Sequence, residues 1–546
     1  MEDSKQQFRE IFESHYTWIE GYKRNVRRYS SKLAMIDPKS NRQWTYKELD
    51  KDVNRLSNAM QGHGFGKGDV LMVMTQNCPE FAFAYVAAQK VHGVMSPVGF
   101  RLSAGELAQN LSDSRPRILL FDEARRDTVL HAVQIVGFKP ERLVVTDGKT
   151  DGDVLSYADY VSAASTDEPQ SNEPYNIYDE TTRLYTSGTT GFPKGVPLTS
   201  INEVLSAHDI MMHFPMNYKD VTMNTTPWFH RGGVHCGGPC PTFYAGATLV
   251  VMGKFDADTT LRYISHYNIT FVIGVPTVLE ELADAQEKND YDLKSLRGII
   301  TMGSALERSA CLRYQRVLTP YIYNGYGTTE TLWNTFLRPF DLPQYAGTAG
   351  ASMVDDDVRV VKIYDDRKAE PDDMVAMDGQ ETGEVIICSP AKSPYTYFNN
   401  DKETAAKYYK GFIYTNDLAT WDKHQYITIL GRKDDMIISS GENIYPTEVE
   451  EVLNKHPKVK DCIVTSVPDK MRGQMVTAYI VRNYATLTAE ELDSFCKQSP
   501  DIANFKRPHF YRFVSEIPRN ATGKKQHVRI KAIALDDLRN GLLYRV

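Results

Sequence analysis

The segment Tyr185–Gly195 reads YTSGTTGFPKG and gathers three glycines, four Ser/Thr hydroxyls and a lysine into eleven residues. Such a set binds oxyanions: glycines let the backbone bend toward a ligand, hydroxyls donate to phosphate oxygens, and the lysine adds a positive charge. Its order differs from the common ATPase loop, where Gly-Lys-Ser/Thr opens a helix, because Pro193 precedes the lysine and Gly195 follows it. A solvated linker of the same composition is the alternative, and the strand-like flanks Arg183–Tyr185 and Val196–Leu198 argue against it. The segment reads as a phosphate grip formed by Thr186, Ser187, Gly188, Thr189, Thr190 and Lys194.

Further along, Thr328, Thr329 and Glu330 follow Gly327. Hydroxyls and a carboxylate can therefore meet at the phosphate end of a nucleotide site. Magnesium takes one or two protein carboxylates and completes its shell with water and phosphate oxygens, so Glu330 alone suffices as its ligand. His230, His235, Cys236 and Cys240 are all zinc-ligand types, but their spacing fits no zinc-finger pattern and the interleaved glycines suit close backbone packing.

Other motifs follow in a fixed order: Pro227–His230, Tyr323–Glu330, Tyr414–Asp417, Gly431–Asp435, Gly441–Glu448 and Pro518–Lys524. With the hydroxyl-rich loop, this order resembles the adenylate-forming superfamily of acyl-CoA synthetases, aryl-CoA ligases, beetle luciferases and peptide-synthetase adenylation domains. The resemblance runs from about Tyr46 to Lys524. The stretch Asp434–Ile444, with Phe505–Pro508 downstream, looks most like chlorobenzoate and related aryl-CoA ligases.

The resemblance implies roles residue by residue. Tyr326 would stack on adenine with Asn324 at the base edge, and Ser304, Gly325, Gly327, Thr328 and Thr329 would complete the ATP/AMP site. Asp417 would accept both ribose hydroxyls, which a carboxylate has the capacity to do. Asn416 stands where the family usually has glycine before this aspartate, which puts the local loop geometry in question. Arg432 would contact ribose or phosphate. Lys524 would bridge the acyl carboxylate and the α-phosphate, with Lys525 adjacent as the one-residue alternative in register. The catalytic set is then Lys524, His230, Thr186 and Lys194. His230 would border the acyl pocket, with Trp228, Met302, Gly303, Thr328 and Trp333 as further lining. Coenzyme A contacts fall on Arg101, Ser440, Gly441, Phe505 and Arg507. Ser440 replaces a frequent glycine, and Arg472 replaces an aromatic residue. Asp434 matches a hinge.

The chemistry these residues serve is attack of a carboxylate on the α-phosphorus of ATP. Both partners are anionic, so metal, cations and donors must neutralise the developing charge. The expected reaction uses ATP, Mg²⁺ and coenzyme A: an acyl-AMP forms with release of pyrophosphate, then the acyl group passes to the thiol with loss of AMP. The partner is a small-molecule carboxylic acid. No cation stands among the pocket candidates, which favours an aryl, alicyclic or medium-chain monocarboxylate over an acid whose second charge would be buried unpaired. An adenylation enzyme loading a carrier-protein thiol, a luciferase-type oxygenase and a nucleotide-binding regulator stay as alternatives.

The elements that must position these residues alternate. Val70–Met74, Pro79–Val91 and Val94–Met95 read as strand, helix and strand. A second series runs through Thr248–Met252, a helix near Asp258–Tyr267, Ile269–Ile273, a helix from Pro276 to about Gln286, and Gly298–Met302. Alternation of apolar strands with amphipathic helices predicts α/β architecture with mostly parallel sheets. A chain of 546 residues exceeds the ~250–300 at which one core stops growing. The charged, glycine-led junction Gly431–Asp435 predicts a boundary, giving an N-terminal domain over 1–433 and a small mobile α+β lid over 434–546. The lid should hold a capped helix from Pro446 to His456 and strands at Asp461–Thr465 and Val476–Val481.

A net charge of -7, from 63 basic and 70 acidic residues, leaves no basic stripe for nucleic acid. Seven scattered cysteines fit reduced thiols in a cytoplasmic protein. The polar N-terminus is not expected to be a signal peptide, and no apolar run approaches the ~20 residues of a membrane span. The oligomeric state, a homodimer among the options, is left open.

Overall fold

Val70–Met74 forms a strand buried along its whole length, and only a strand covered on both faces can be apolar at every position. It lies in the middle of a seven-stranded sheet ordered Val154–Ser156, Arg142–Val145, Ile118–Phe121, Val70–Met74, Val94–Pro97, Glu180–Ser187 and Pro193–Thr199. Pairing is parallel until the last two strands, which form an antiparallel hairpin. Parallel neighbours need a crossover. Between Val70–Met74 and Val94–Pro97 it is the helix Pro79–Lys90, which opens on a proline whose missing N–H has no partner to lose there. The helix is buried on every face, and its Phe81, Phe83 and Tyr85 pack into one core with Trp18, Met35 and Leu249.

A nine-stranded sheet builds on Leu33–Asp37, Thr248–Val250, Val221–Asn224, Phe271–Gly274, Gly298–Met302 and Ile322–Thr328, which run parallel side by side. Leu332–Leu337 and Arg42–Thr45 add antiparallel partners. The strand expected at Ile269 starts at Phe271 instead. Asn268 turns left-handed at φ 50°, and the Ile269 N–H donates back to the Ile264 carbonyl at 3.1 Å. Ile269 therefore closes the helix Ala257–Tyr267 rather than opening the strand. The next helix runs on to Asn289, three residues beyond the expected end, and stops at the left-handed Asp290.

The computed structural model describes residues 2–171, 173–187, 193–364, 366–440, 442–519 and 525–546. The chain divides into two compact units: Met1–Gln344 with Ser352–Asp357 and Cys388–Ile413, and Tyr345–Ala351 with Val358–Ile387 and Tyr414–Val546. Asp434 falls inside the second unit, in the single turn Lys433–Asp435 between the strands Ile427–Arg432 and Ile437–Ser439. That unit reaches back before residue 434 because Asp357–Val361, Gly383–Cys388, Phe412–Trp421 and Ile427–Arg432 hydrogen-bond to one another in one sheet.

In its C-terminal part, Val459–Asp469 and Gly473–Arg482 make an antiparallel hairpin longer than the apolar runs suggest. The helix Pro446–Asn454 ends before His456 and carries no side-chain cap, only proline at its start. Its Val449, Val452 and Leu453 pack on the hairpin's Val464, Val476 and Ala478. Among the described residues, no helix is long and apolar enough to cross a membrane.

Candidate active site

The segment expected to grip phosphate begins as a hairpin, with Thr186 opposite Lys194 on its two strands. Gly188, Thr189 and Thr190 lie outside the described residues. The Lys194 ammonium forms an ion pair with Glu403 and sits 5.5 Å from the centre of the Tyr397 ring. The hairpin and the 397–403 stretch are laced together. Phe398 N–H donates to the Gly195 carbonyl at 2.8 Å, and the Arg183 guanidinium lies 3.3 Å from the Phe398 ring centre. A Cβ on Gly195 would come within 3.2 Å of both Arg183 and Phe398, so glycine permits this approach.

The strand Ile322–Thr328 places Asn324, Tyr326 and Thr328 on one face by its two-residue period. Glycines occupy the other face because Leu332–Leu337 crowds it. A Cβ on Gly325 would lie 2.9 Å from the Trp333 indole, and one on Gly327 only 1.6 Å from the Leu332 carbonyl oxygen. Beyond this strand, Glu330 is 6% exposed, and the Tyr397 hydroxyl donates to its Oε1. Burial pushes the Glu330 carboxyl up, but the Lys407 charge and the Tyr397 hydrogen bond outweigh it and hold the group below the usual value. An ionised carboxylate close to the Thr328 hydroxyl offers the all-oxygen donors that Mg²⁺ takes. Tyr397 thus links the hairpin to the segment after Thr328, ring against Lys194 and hydroxyl on Glu330. Ser304 and Gly303 lie exposed just past the strand Gly298–Met302, with Gly303 at φ 82°.

On the acyl side, Pro227–His230 leads into the helical turn Arg231–Val234. The His230 Nε2 is buried without a hydrogen-bond partner among the described residues, and burial pushes the imidazole down to about 4. Met302 packs on this turn: its Sδ and Cε lie 2.9 Å from where a Gly232 Cβ would stand. Met302 and Trp333 share an apolar cluster with Ile273, Tyr323 and Phe336, whereas Trp228 belongs to the other core, edge-on to Phe81 with ring centres 5.5 Å apart. Of the zinc-type residues, His235 and Cys240 meet Glu203, while His230 and Cys236 fall outside that group. The Glu203 Oε2 accepts from Tyr85 Oη at 2.8 Å, His235 Nε2 at 2.5 Å and Cys240 Sγ at 3.3 Å. Burial would raise this carboxyl, but His235 and the converging donors hold it down to about 2.

Sequence reasoning missed Arg231. Its wholly buried guanidinium donates to the carbonyls of Thr329 and Lys392, each at 2.7 Å, and to Ser206 Oγ at 3.3 Å. It ties the His230 turn to the Thr328–Glu330 loop. Burial lowers it to about 10, so it stays protonated at neutral pH. A charged residue inside a glycine-rich apolar stretch was the available signal. Tyr397 and Glu403 had none, since each acts through a partner far away in the chain.

In the second unit, Asp417 and Arg432 are cross-strand neighbours, with Arg432 Nη1 3.5 Å from Asp417 Oδ1. Asn416 adopts φ 64° and Ser440 φ 53°. Both non-glycine residues therefore take the left-handed conformation that glycine would supply. Arg432 also approaches Asp434, at 3.9 Å. Gly441 and Lys524 lie outside the described residues. Lys525, the one-residue alternative in register, has its ammonium 2.8 Å from Glu450 and 3.5 Å from Asp461. Arg507 donates to Asn504 Oδ1 at 2.9 Å and ion-pairs with Asp493 Oδ1 at 3.3 Å, whereas Phe505 is exposed. In the first unit, Arg101 is exposed beside the Phe100 ring.

Residues 22–394 match the family described as AMP-binding enzyme, and residues 448–524 match the AMP-binding enzyme C-terminal domain. The chain belongs to the AMP-binding enzyme family. It is 29% identical over 484 residues to a feruloyl-CoA synthase of Amycolatopsis sp, covering 88% of this chain and 92% of that one. It is 28% identical over 496 residues to a long-chain-fatty-acid–CoA ligase of Mycobacterium tuberculosis, covering 90% and 93%. Among solved structures, the o-succinylbenzoate CoA synthetase of Bacillus subtilis with its acyl-adenylate intermediate superposes at TM-score 0.81 with 26% identity, over 94% of this chain and 98% of that one. An anthranilate CoA ligase holding anthranoyl-AMP reaches TM-score 0.85 at 24% identity, covering 96% and 98%, and attests the shared fold.

Proposed function

We propose that this chain is an ATP-dependent acid–CoA ligase that activates an aryl, alicyclic or medium-chain monocarboxylate as its acyl-AMP and passes the acyl group to coenzyme A. The observation that carries the reading is the junction at Tyr397, where the Lys194 cation and the ionised Glu330 carboxylate meet one phenol. One cation for phosphate and one carboxylate for a divalent ion are what an α-phosphoryl transfer between two anions needs. Glu330 would hold Mg²⁺, which supplies charge neutralisation on the phosphates. Lys194 and the Thr186 hydroxyl would bind phosphate oxygens, Tyr326 and Asn324 the adenine, and Asp417 with Arg432 the ribose. Lys524 would bridge the acyl carboxylate and the α-phosphate as the bond forms, and the uncharged His230 would border the acyl group. The chain from Asp434 onward would turn between the two half-reactions, bringing Ser440, Gly441, Phe505 and Arg507 into use for coenzyme A. The seven cysteines form no disulfide with one another, which supports a reducing, cytoplasmic setting.

The monoacid preference rests on Arg231. It is a buried cation next to His230 in sequence, and both of its terminal nitrogens already serve Thr329, Lys392 and Ser206, so it is held away from a second substrate carboxylate, which would be buried without a counter-charge. The names of two relatives, a feruloyl-CoA synthase and a long-chain-fatty-acid–CoA ligase, fit an acid with a ring or an apolar tail. A panel of carboxylic acids scored by AMP formation with and without coenzyme A tests the proposal. Benzoate-like and medium-chain monoacids should give coenzyme-dependent AMP, and dicarboxylates and amino acids little. Efficient turnover of a dicarboxylate, or AMP release indifferent to coenzyme A, would sink it.

A further inference from the structure

The pairing of Lys194 with Glu403 adds an element that the ligase reading, on which this inference rests, does not assign. Both side chains are shielded, at 11% and 22% exposed, so salt screens their attraction little. Glu403 is held in place. Its backbone N–H is capped by Asn400 Oδ1 at 3.2 Å at the start of the helix Asp401–Lys407, and Thr404 Oγ1 in the same turn accepts from the Tyr397 N–H at 3.0 Å. Tyr397 in turn carries Lys194 over its ring and donates to Glu330. A phosphate drawn to Lys194 therefore meets a fixed carboxylate already on that cation.

We infer that Glu403 is a positioning residue that competes with phosphate anions for Lys194 and so sets how readily pyrophosphate leaves. A lysine has one ammonium charge to share. A carboxylate already on the ammonium weakens every further anion bound there, and it regains the whole of that charge when the anion departs. The α–β phosphate bond breaks during adenylation and leaves pyrophosphate in the site. Without Glu403, the Lys194 cation would hold that product more tightly.

Calorimetric titration of inorganic pyrophosphate and of ATP into the full chain, without carboxylic acid, reads this directly. Glu403→Gln should bind pyrophosphate about five-fold more tightly than wild type, the scale of a partly shielded ion pair. The gain should vanish when Glu403→Gln is placed on Lys194→Met, since a double-mutant cycle isolates the pair. Unchanged or weaker pyrophosphate binding by Glu403→Gln overturns the inference, and so does an equal gain in the Lys194→Met background. If Glu403→Gln fails to fold by its melting curve, Glu403→Asp draws the carboxylate back from Lys194 and should show a smaller gain, whose absence overturns the inference as well. A wild-type chain that binds neither ATP nor pyrophosphate defeats the ligase reading and this inference with it. A wild type that binds while Glu403→Gln matches it defeats only the inference.

Discussion

His230 sits buried at the mouth of the proposed acyl pocket, and burial pushes its imidazole down to about 4. The unfolded chain then holds a proton there between its ordinary value of ~6.5 and 4 that the folded chain does not. Stability therefore falls as the pH drops from about 6.5 toward 4, by on the order of 1 kcal/mol per unit, and levels off below that. His213 and His509 are also pushed down to about 4, so the His230 share must be read as a difference. Urea midpoints of wild type and His230→Gln should converge as the pH falls through this window; parallel curves would mean that His230 titrates normally. Lys524 carries the second prediction at this scale. Lys524→Ala should cut adenylation by two to three orders of magnitude, the ~3–4 kcal/mol of a lost transition-state contact. Acyl transfer from supplied acyl-AMP should survive, and an equal fall in both steps would show a structural lysine.

At the scale of elements, two glycines with close neighbours should behave differently. A methyl on Gly327 would meet the Leu332 carbonyl oxygen, which belongs to the backbone of the paired strand and cannot step aside. Gly327→Ala should cost about 3 kcal/mol and part the strands that present Thr328 and Glu330. Gly232 faces the Sδ and Cε of Met302, the far end of a flexible side chain that can change rotamer. Gly232→Ala should cost about 1 kcal/mol or less, with acid selectivity shifting because Met302 moves. Chemical denaturation of both variants separates the two cases, and equal losses would refute the distinction between rigid and yielding neighbours.

For the molecule as a whole, the prediction concerns the turn Lys433–Asp435. If the chain beyond Asp434 must turn between half-reactions, backbone torsions there change widely, and proline would fix φ near -65°. Asp434→Pro should keep single-turnover pyrophosphate formation while coenzyme A thioester formation collapses. Retention of both activities would show that the chain does not alternate about this residue.

The sequence by itself determined the architecture and most of the proposed chemistry. Apolar runs such as Val70–Met74 and Gly298–Met302 became strands at the expected residues, because a run too apolar for water must be covered on both sides. Hydroxyl, lysine and carboxylate motifs were legible through their clustering and their order along the chain, since each residue type alone is common on any solvated surface. Boundaries such as Ile269 were less so, since a helix-closing turn spends residues whose composition still looks like strand. Tertiary structure alone decided who meets whom. That Arg231 grips the Thr329 carbonyl, that Tyr397 spans Lys194 and Glu330, and that Glu403 holds Lys194 are contacts between segments about 70 to 210 residues apart. Local sequence sets the conformation of a few neighbouring residues, whereas such pairings exist only after the sheets stack and bring distant loops to the same edge.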